Sequence, residues 1–141
     1  MGTVGHIAIV AQAMALEPIV IRDDAPLAEA AELMDRHVVS GLPVVDHAGC
    51  LLGVISQADL VRARSTEYLW ANWTGLSVRH LMTKPALTVR RSTTLRAAAR
   101  EMERNHIHRL VVVADDDPTL PIGIISMTDV VHAIAAEALS R

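Results

Sequence analysis

Ser56-x-x-Asp59 and Ser126-x-x-Asp129 pair a hydroxyl with a carboxylate at one spacing, seventy residues apart in the chain. Each leads into an apolar stretch, Leu60-Val61 in one case and Val130-Val131 in the other. A serine three residues ahead of an acidic residue is close to a capping box, in which two orphan N–H groups of a helix start are satisfied reciprocally. The same groups can also do ligand chemistry. A carboxylate can accept both hydroxyls of a vicinal diol. A helix N-terminus offers free N–H groups and the positive end of a dipole to an anion. Capping and ligand binding are both open readings at these positions.

A second cluster is His106-x-His108-Arg109, whose cationic donors could hold a polyphosphate. The corresponding first-half residues, Val38, Ser40 and Gly41, carry no charge. Pairing of Arg109 with the acidic turn Asp115–Asp117 is the competing reading. On a strand, His106 and His108 would share one face, but two histidines without a third ligand in reach are a weak metal pattern. Cys50 and His47 lack an orienting third member and an oxyanion site. No Gly-rich phosphate loop of the Walker or dinucleotide type occurs.

The elements that must position these residues are read from an internal repeat. Val10–Met14 aligns with Val78–Met82, and each Met is soon followed by a proline, Pro18 or Pro85. Short β-type runs come next, Ile19-Val20-Ile21 and Leu87-Thr88-Val89. Leu27, Ala30, Ala31 and Met34, and then Leu95, Ala98, Ala99 and Met102, fall at i, i+3, i+4, i+7, which predicts two amphipathic helices. Asp23-Asp24 and Ser92-Thr93-Thr94 supply cap-type residues ahead of them, and Pro26 fits a first turn. Two aliphatic runs separated by a turn follow each helix and predict a hairpin. The first is Leu42–Val45 with Leu51–Ile55; the second is Leu110–Val113 with Ile122–Ile125. A second helix opens after each hairpin. Each half is thus β-α-β-β-α, too small to bury a comfortable core alone. The expected fold is α+β, two such repeats packed with pseudo-two-fold symmetry, their sheets facing a shared core. The expected divisions are a lead-in at 1–9, repeat 1 at 10–64, a linker at 65–77, repeat 2 at 78–134 and a helix end at 135–141.

Composition narrows the function. Half of the 141 residues are apolar and only 2% are aromatic, so the core must be aliphatic. The net charge of −3 argues against a nucleic-acid binder. One cysteine excludes an internal disulfide framework. No apolar run reaches the roughly 18–20 residues that span a bilayer, and no Lys or Arg precedes Ile7–Leu16 as a signal peptide would require. A cytoplasmic protein without membrane or nucleic-acid partners is expected. All three aromatics, Tyr68, Trp70 and Trp73, fall in the linker. Leu69, Trp73 and Leu76 at i, i+4, i+7 predict a short helix there. Trp73 either closes the core or joins Tyr68 and Trp70 in an interface, where Trp and Tyr are enriched.

The run Gly41-Leu42-Pro43-Val44-Val45-Asp46, Gly49, then Gly53-Val54-Ile55-Ser56-x-x-Asp59-Leu60 resembles the CBS domain. Gly123-Ile124-Ile125-Ser126-x-x-Asp129-Val130 resembles a second copy, and the pair resembles a Bateman module over roughly residues 10–132. The resemblance leaves no room within this chain for a fused enzyme or channel. It implies a non-catalytic regulator with no obligatory cofactor, acting on a partner yet to be identified. It also implies an adenosyl ligand: AMP, ADP, ATP, S-adenosylmethionine or an NAD-type molecule. Homodimers forming a four-repeat disc are implied as well. Asp59 and Asp129 would then accept ribose hydroxyls, and Ser56 and Ser126 would meet phosphate. Ile19, Val20, Ile21, Gly41, Leu42 and Pro43 would complete site 1. Leu87, Thr88, Val89, His106, His108, Arg109, Leu110 and Thr128 would complete site 2. With no ring inside either repeat, the base would lie between aliphatic walls. The second copy departs from Gly-x-Pro, with Arg109-Leu110-Val111, so the second site is expected to favour a phosphorylated nucleotide. A ligand-free dimerisation adaptor and a metal sensor through His106 and His108 are the alternatives.

Overall fold

A computed structural model describes residues 8–16 and 18–139. Most of the expected lead-in at 1–9, and the last two residues of the 135–141 end, lie outside the described residues. In chain order the elements are β1 (Ala15–Leu16), β2 (Ile21–Arg22), α1 (Leu27–His37), β3 (Gly41–Val45), β4 (Leu51–Ser56), α2 (Gln57–Ser65), α3 (Glu67–Ala71), α4 (Val78–Leu81), β5 (Thr88–Arg90), α5 (Leu95–Asn105), β6 (Arg109–Ala114), β7 (Asp117–Ser126) and α6 (Met127–Leu139). They form two compact units, Pro18–Leu87 and Met1–Glu17 with Thr88–Arg141.

Within the unit Pro18–Leu87, β2 runs parallel to β3 and β3 antiparallel to β4. Its core gathers Ile21, Leu27, Ala30, Met34, Leu42, Val44, Ile55 and Val78. The other unit has the sheet order β1-β7-β6-β5, with β5 parallel to β6 and β6 antiparallel to β7. Val10, Met14, Val89, Ala98, Met102, Leu110, Val112 and Ile125 form its core. The buried hydrophobic side chains of both units are aliphatic or Met, as a chain without Phe requires, and among the described residues Asp59 is the one buried charged side chain. Strand β3 is buried at all five positions, so both of its faces are covered.

Each lead-in segment lies with the other half of the chain. Val10, from the start of the chain, donates its N–H to the Thr93 carbonyl at 2.8 Å and sits in the second-half core. Val78 donates to the Ala25 carbonyl at 2.9 Å and sits in the first-half core. The segments then cover a sheet edge: β1 pairs with β7, and Thr83 bridges Val54 on β4. These contacts satisfy N–H and C=O groups that a bare edge would expose.

The helix pattern holds with local differences. Leu27, Ala30 and Met34 are buried on α1, whereas Ala31, expected in the same stripe, is exposed. Pro26, not Asp23 or Asp24, occupies the cap position of α1 and makes no side-chain cap bond. On α5 the expected cap is present, with Thr94 Oγ1 accepting from the Ala97 N–H at 3.1 Å. Both helices end on a left-handed residue, Val38 and His106, each at φ 54°. The next N–H reaches back in a Schellman-type bond, Val39 to Met34 O at 3.1 Å and Ile107 to Met102 O at 3.0 Å.

Candidate functional site

The start of α2 is built as a capping box. Asp59 Oδ2 accepts from the Ser56 N–H at 2.8 Å and from Ser56 Oγ at 3.0 Å, while the Asp59 N–H donates to Ser56 Oγ at 3.2 Å. Asp59 Oδ1 accepts from Arg62 Nη2 at 2.5 Å. The Asp59 side chain is nearly sealed from solvent, which an ionised carboxylate tolerates because both of its oxygens are bonded.

The start of α6 repeats the box. Asp129 Oδ2 accepts from the Ser126 N–H at 2.8 Å and from Ser126 Oγ at 2.9 Å, and the Asp129 N–H donates to Ser126 Oγ at 3.2 Å. The two copies differ at the following position. His132 stands where Arg62 grips Asp59, and Asp129 is half-buried rather than buried. Capping is therefore realised at both motifs.

Strand register assembles further predicted residues around each box. Gly41 lies opposite Ser56, and the Gln57 N–H donates to the Ser40 carbonyl at 2.9 Å. In the other unit Arg109 lies opposite Ser126, and the Met127 N–H donates to the His108 carbonyl at 2.9 Å. Leu110 and Ile125 are buried partners beside that pair. The start of β5, at Thr88 and Val89, pairs with Val111 and Val112 and so lies at the same end of the sheet. Thr88 and Thr128 are exposed, whereas Val89 is core. In the first unit, Ile21 is core and pairs with Val44, while Leu42 and Pro43 are fully buried. Ile19 is partly buried, and Val20 is 39% exposed. Neither is in β2, which begins at Ile21. Leu87 likewise precedes β5 and is 38% exposed.

The histidines are placed differently from the expectation. His106 is the left-handed cap of α5, and His108 precedes β6, so they do not share the face of a strand. Both line a cavity of about 420 Å³ between α5 and α6, together with Met102, Ile107, Met127 and Val130. Ser126, Asp129 and Arg109 do not line it. Among the described residues, no group of three or more His, Cys, Asp or Glu could hold a metal ion.

The linker aromatics divide. Helix α3 ends at Ala71 and a separate turn covers Trp73–Gly75, so Leu69, Trp73 and Leu76 do not lie on one helix. Trp73 and Leu76 pack against the first-unit core. Tyr68 and Trp70 are exposed, and the Arg64 guanidinium stands 3.8 Å from the Trp70 ring centroid.

Sequence reasoning missed the purpose of the two hairpin glycines. A Cβ on Gly53 would meet the Thr83 carbonyl oxygen at 2.4 Å, and one on Gly123 would meet that of Ala15 at 2.7 Å. The signal was present as the repeated Gly-x-Ile-Ser, but the approaching backbone comes from the distant lead-in segments.

Comparison with known proteins agrees with this construction. The chain is similar to a homoserine O-acetyltransferase of Methanocorpusculum labreanum, at 34% identity over 76% of this chain and 20% of that protein. It therefore spans about a fifth of that relative's length. It is similar to the crystal structure of the CBS-pair protein CBSX2 from Arabidopsis thaliana, at 32% identity and TM-score 0.79, covering 96% of this chain and 99% of that one. A structure of CBSX2 in complex with AMP matches at 33% identity and TM-score 0.78, over 95% and 99% of the two chains. Among the described residues, no helix is long and apolar enough to cross a membrane. The CBS domain model matches twice, at residues 8–66 and 78–136, each span carrying one hairpin, one Gly-x-Ile-Ser and one Ser-x-x-Asp box; the chain belongs to the CBS domain family.

Proposed function

We propose that this chain is a regulatory module that binds an adenosyl ligand, acts on a separate partner protein and works as a homodimer. The observation that carries this reading is the end-to-end likeness to CBSX2 solved in complex with AMP. The repeated boxes support it, because each sets a carboxylate beside the start of a hairpin strand. In this reading Asp129 is the better ribose acceptor. Asp59 is gripped by Arg62, which must release it before a diol can bind. Arg109, across from Ser126, gives the second site a cation for phosphate that Gly41 cannot give the first.

Thermal unfolding with AMP, ATP, S-adenosylmethionine or NADH tests the proposal. A ligand present at 100 times its dissociation constant stabilises by roughly 2.7 kcal/mol. A shift with at least one of the four is expected. No shift with any at millimolar concentration overturns ligand sensing and leaves the capping boxes as structural devices of an adaptor.

A further inference from the structure

The acceptor positions of the two box carboxylates are filled unequally. A carboxylate offers about four lone-pair positions, shared between its two oxygens. Asp59 Oδ2 takes the Ser56 N–H and Ser56 Oγ, and Oδ1 takes Arg62 Nη2 at 2.5 Å. Asp129 Oδ2 takes the matching N–H and Oγ of Ser126. Among the described residues, no hydrogen bond or ion pair is made to Asp129 Oδ1. By that count about one position is left on Asp59 and about two on Asp129. A vicinal diol requires a pair of acceptor positions.

The difference comes from a single place in the repeat. Asp59 and Arg62 stand at i and i+3 on α2, where side chains meet on one helix face. The matching residue on α6 is His132. It is exposed, and among the described residues its ring makes no hydrogen bond. The Arg62 side chain is 66% exposed, although the carboxylate that it holds is only 5% exposed. An exposed guanidinium thus caps a buried carboxylate from the solvent side. It can leave by rotation about its own side-chain bonds, which is fast for an exposed residue. The backbone of α2 and both Ser56 bonds stay as they are. Leaving strips a bond from a buried charge, which favours the closed arrangement when nothing replaces it.

We propose that Arg62 is an autoinhibitory latch on the first repeat, holding Asp59 closed to a diol so that ligand loads at Asp129 first. The proposal rests on the adenosyl-ligand reading above and adds the regulation of its first site. Ribose hydroxyls can meet Asp129 Oδ1 without displacing any bond between described residues, whereas at Asp59 they displace Arg62. The displaced bond is charge-assisted, and the exposure of the guanidinium to screening solvent keeps its effect to about three- to tenfold in affinity. The latch is also transferable, because an arginine at position 132 would stand in the same i, i+3 relation to Asp129.

Carboxyl chemical shifts of Asp59 and Asp129, followed as AMP is added to the full chain, read the two repeats separately. Asp129 is expected to reach its midpoint at lower AMP than Asp59. Arg62→Ala is expected to lower the Asp59 midpoint about three- to tenfold and to leave the Asp129 midpoint in place. His132→Arg is expected to raise the Asp129 midpoint by a similar factor. Circular dichroism confirms that each variant is folded. An Asp59 midpoint that stays or rises in Arg62→Ala, or an Asp129 midpoint that His132→Arg leaves unmoved, overturns the latch and leaves the ligand reading standing. Carboxyl shifts that ignore AMP at both residues, in the wild type and in both variants, overturn the latch and AMP binding together.

Discussion

The α-carbon of Gly53 lies so close to the carbonyl of Thr83 that a methyl group there would stand 2.4 Å from the oxygen. The Val54 N–H donates to that carbonyl at 3.0 Å, and the Thr83 N–H returns a bond to the Val54 carbonyl at 2.9 Å. Gly123 and Ala15 repeat the close approach in the other unit. Backbone cannot move aside as the tip of a flexible side chain can. Gly53→Ala is therefore expected to cost about 1–3 kcal/mol, the usual range for overpacking, and Gly123→Ala about as much. Urea denaturation measures both. A neutral Gly53→Ala would show that Thr83 can leave the sheet edge freely.

Asp129→Asn separates capping from ligand binding. The amide oxygen can still accept the Ser126 N–H, so stability is expected to fall by no more than about 1 kcal/mol. A diol acceptor loses its charge and half of its acceptor capacity, and nucleotide affinity is expected to fall at least about tenfold. Calorimetric titration beside thermal unfolding checks both. Unchanged affinity would remove Asp129 from the ribose site.

Asp59→Asn is expected to destabilise more than Asp129→Asn. Its carboxylate is buried and bonded through both oxygens, including the bond from Arg62. A hydrogen bond to a charged group is worth about 1.5–3 kcal/mol, and the lower half applies because Arg62 is largely exposed to screening solvent. Equal costs for the two variants would mean that the Arg62 pair contributes nothing.

Val38 is a β-branched residue held at φ 54° with 90% of its surface exposed. The left-handed conformation costs an L-residue roughly 1–2 kcal/mol, part of which glycine repays in unfolded-chain entropy. Val38→Gly is expected to stabilise by about 0.5–1 kcal/mol. A loss of stability would mean that the Val38 side chain has a favourable role.

The first hairpin turn is expected to loosen in acid. Asp46 Oδ1 accepts from the Cys50 N–H at 3.0 Å and the Ala48 N–H at 2.9 Å, and these bonds hold its carboxyl below the ordinary value of 3.8. A depressed folded value means that this stabilisation is full above the unfolded value and is lost as pH falls through the folded one. Chemical shifts of Asp46 followed below pH 4 measure the titration directly. A midpoint at or above 3.8 would contradict the turn bonds.

Sequence by itself determined the repeat, the two helix–hairpin–helix units, the aliphatic core and both Ser-x-x-Asp boxes. These depend on periodicity and near-neighbour spacing, which are local in the chain. Three features were decided by tertiary structure. The lead-in segments were exchanged, because the choice of sheet edge depends on contacts far apart in sequence. Arg62 closed on Asp59 while His132 took the corresponding place beside Asp129, an asymmetry that matters only once burial differs at the two carboxylates. Trp73 packed against the core while Tyr68 and Trp70 remained exposed, because the helix stopped at Ala71 and a separate turn carried Trp73, whose ring still meets that of Trp70 at 6.0 Å between centroids.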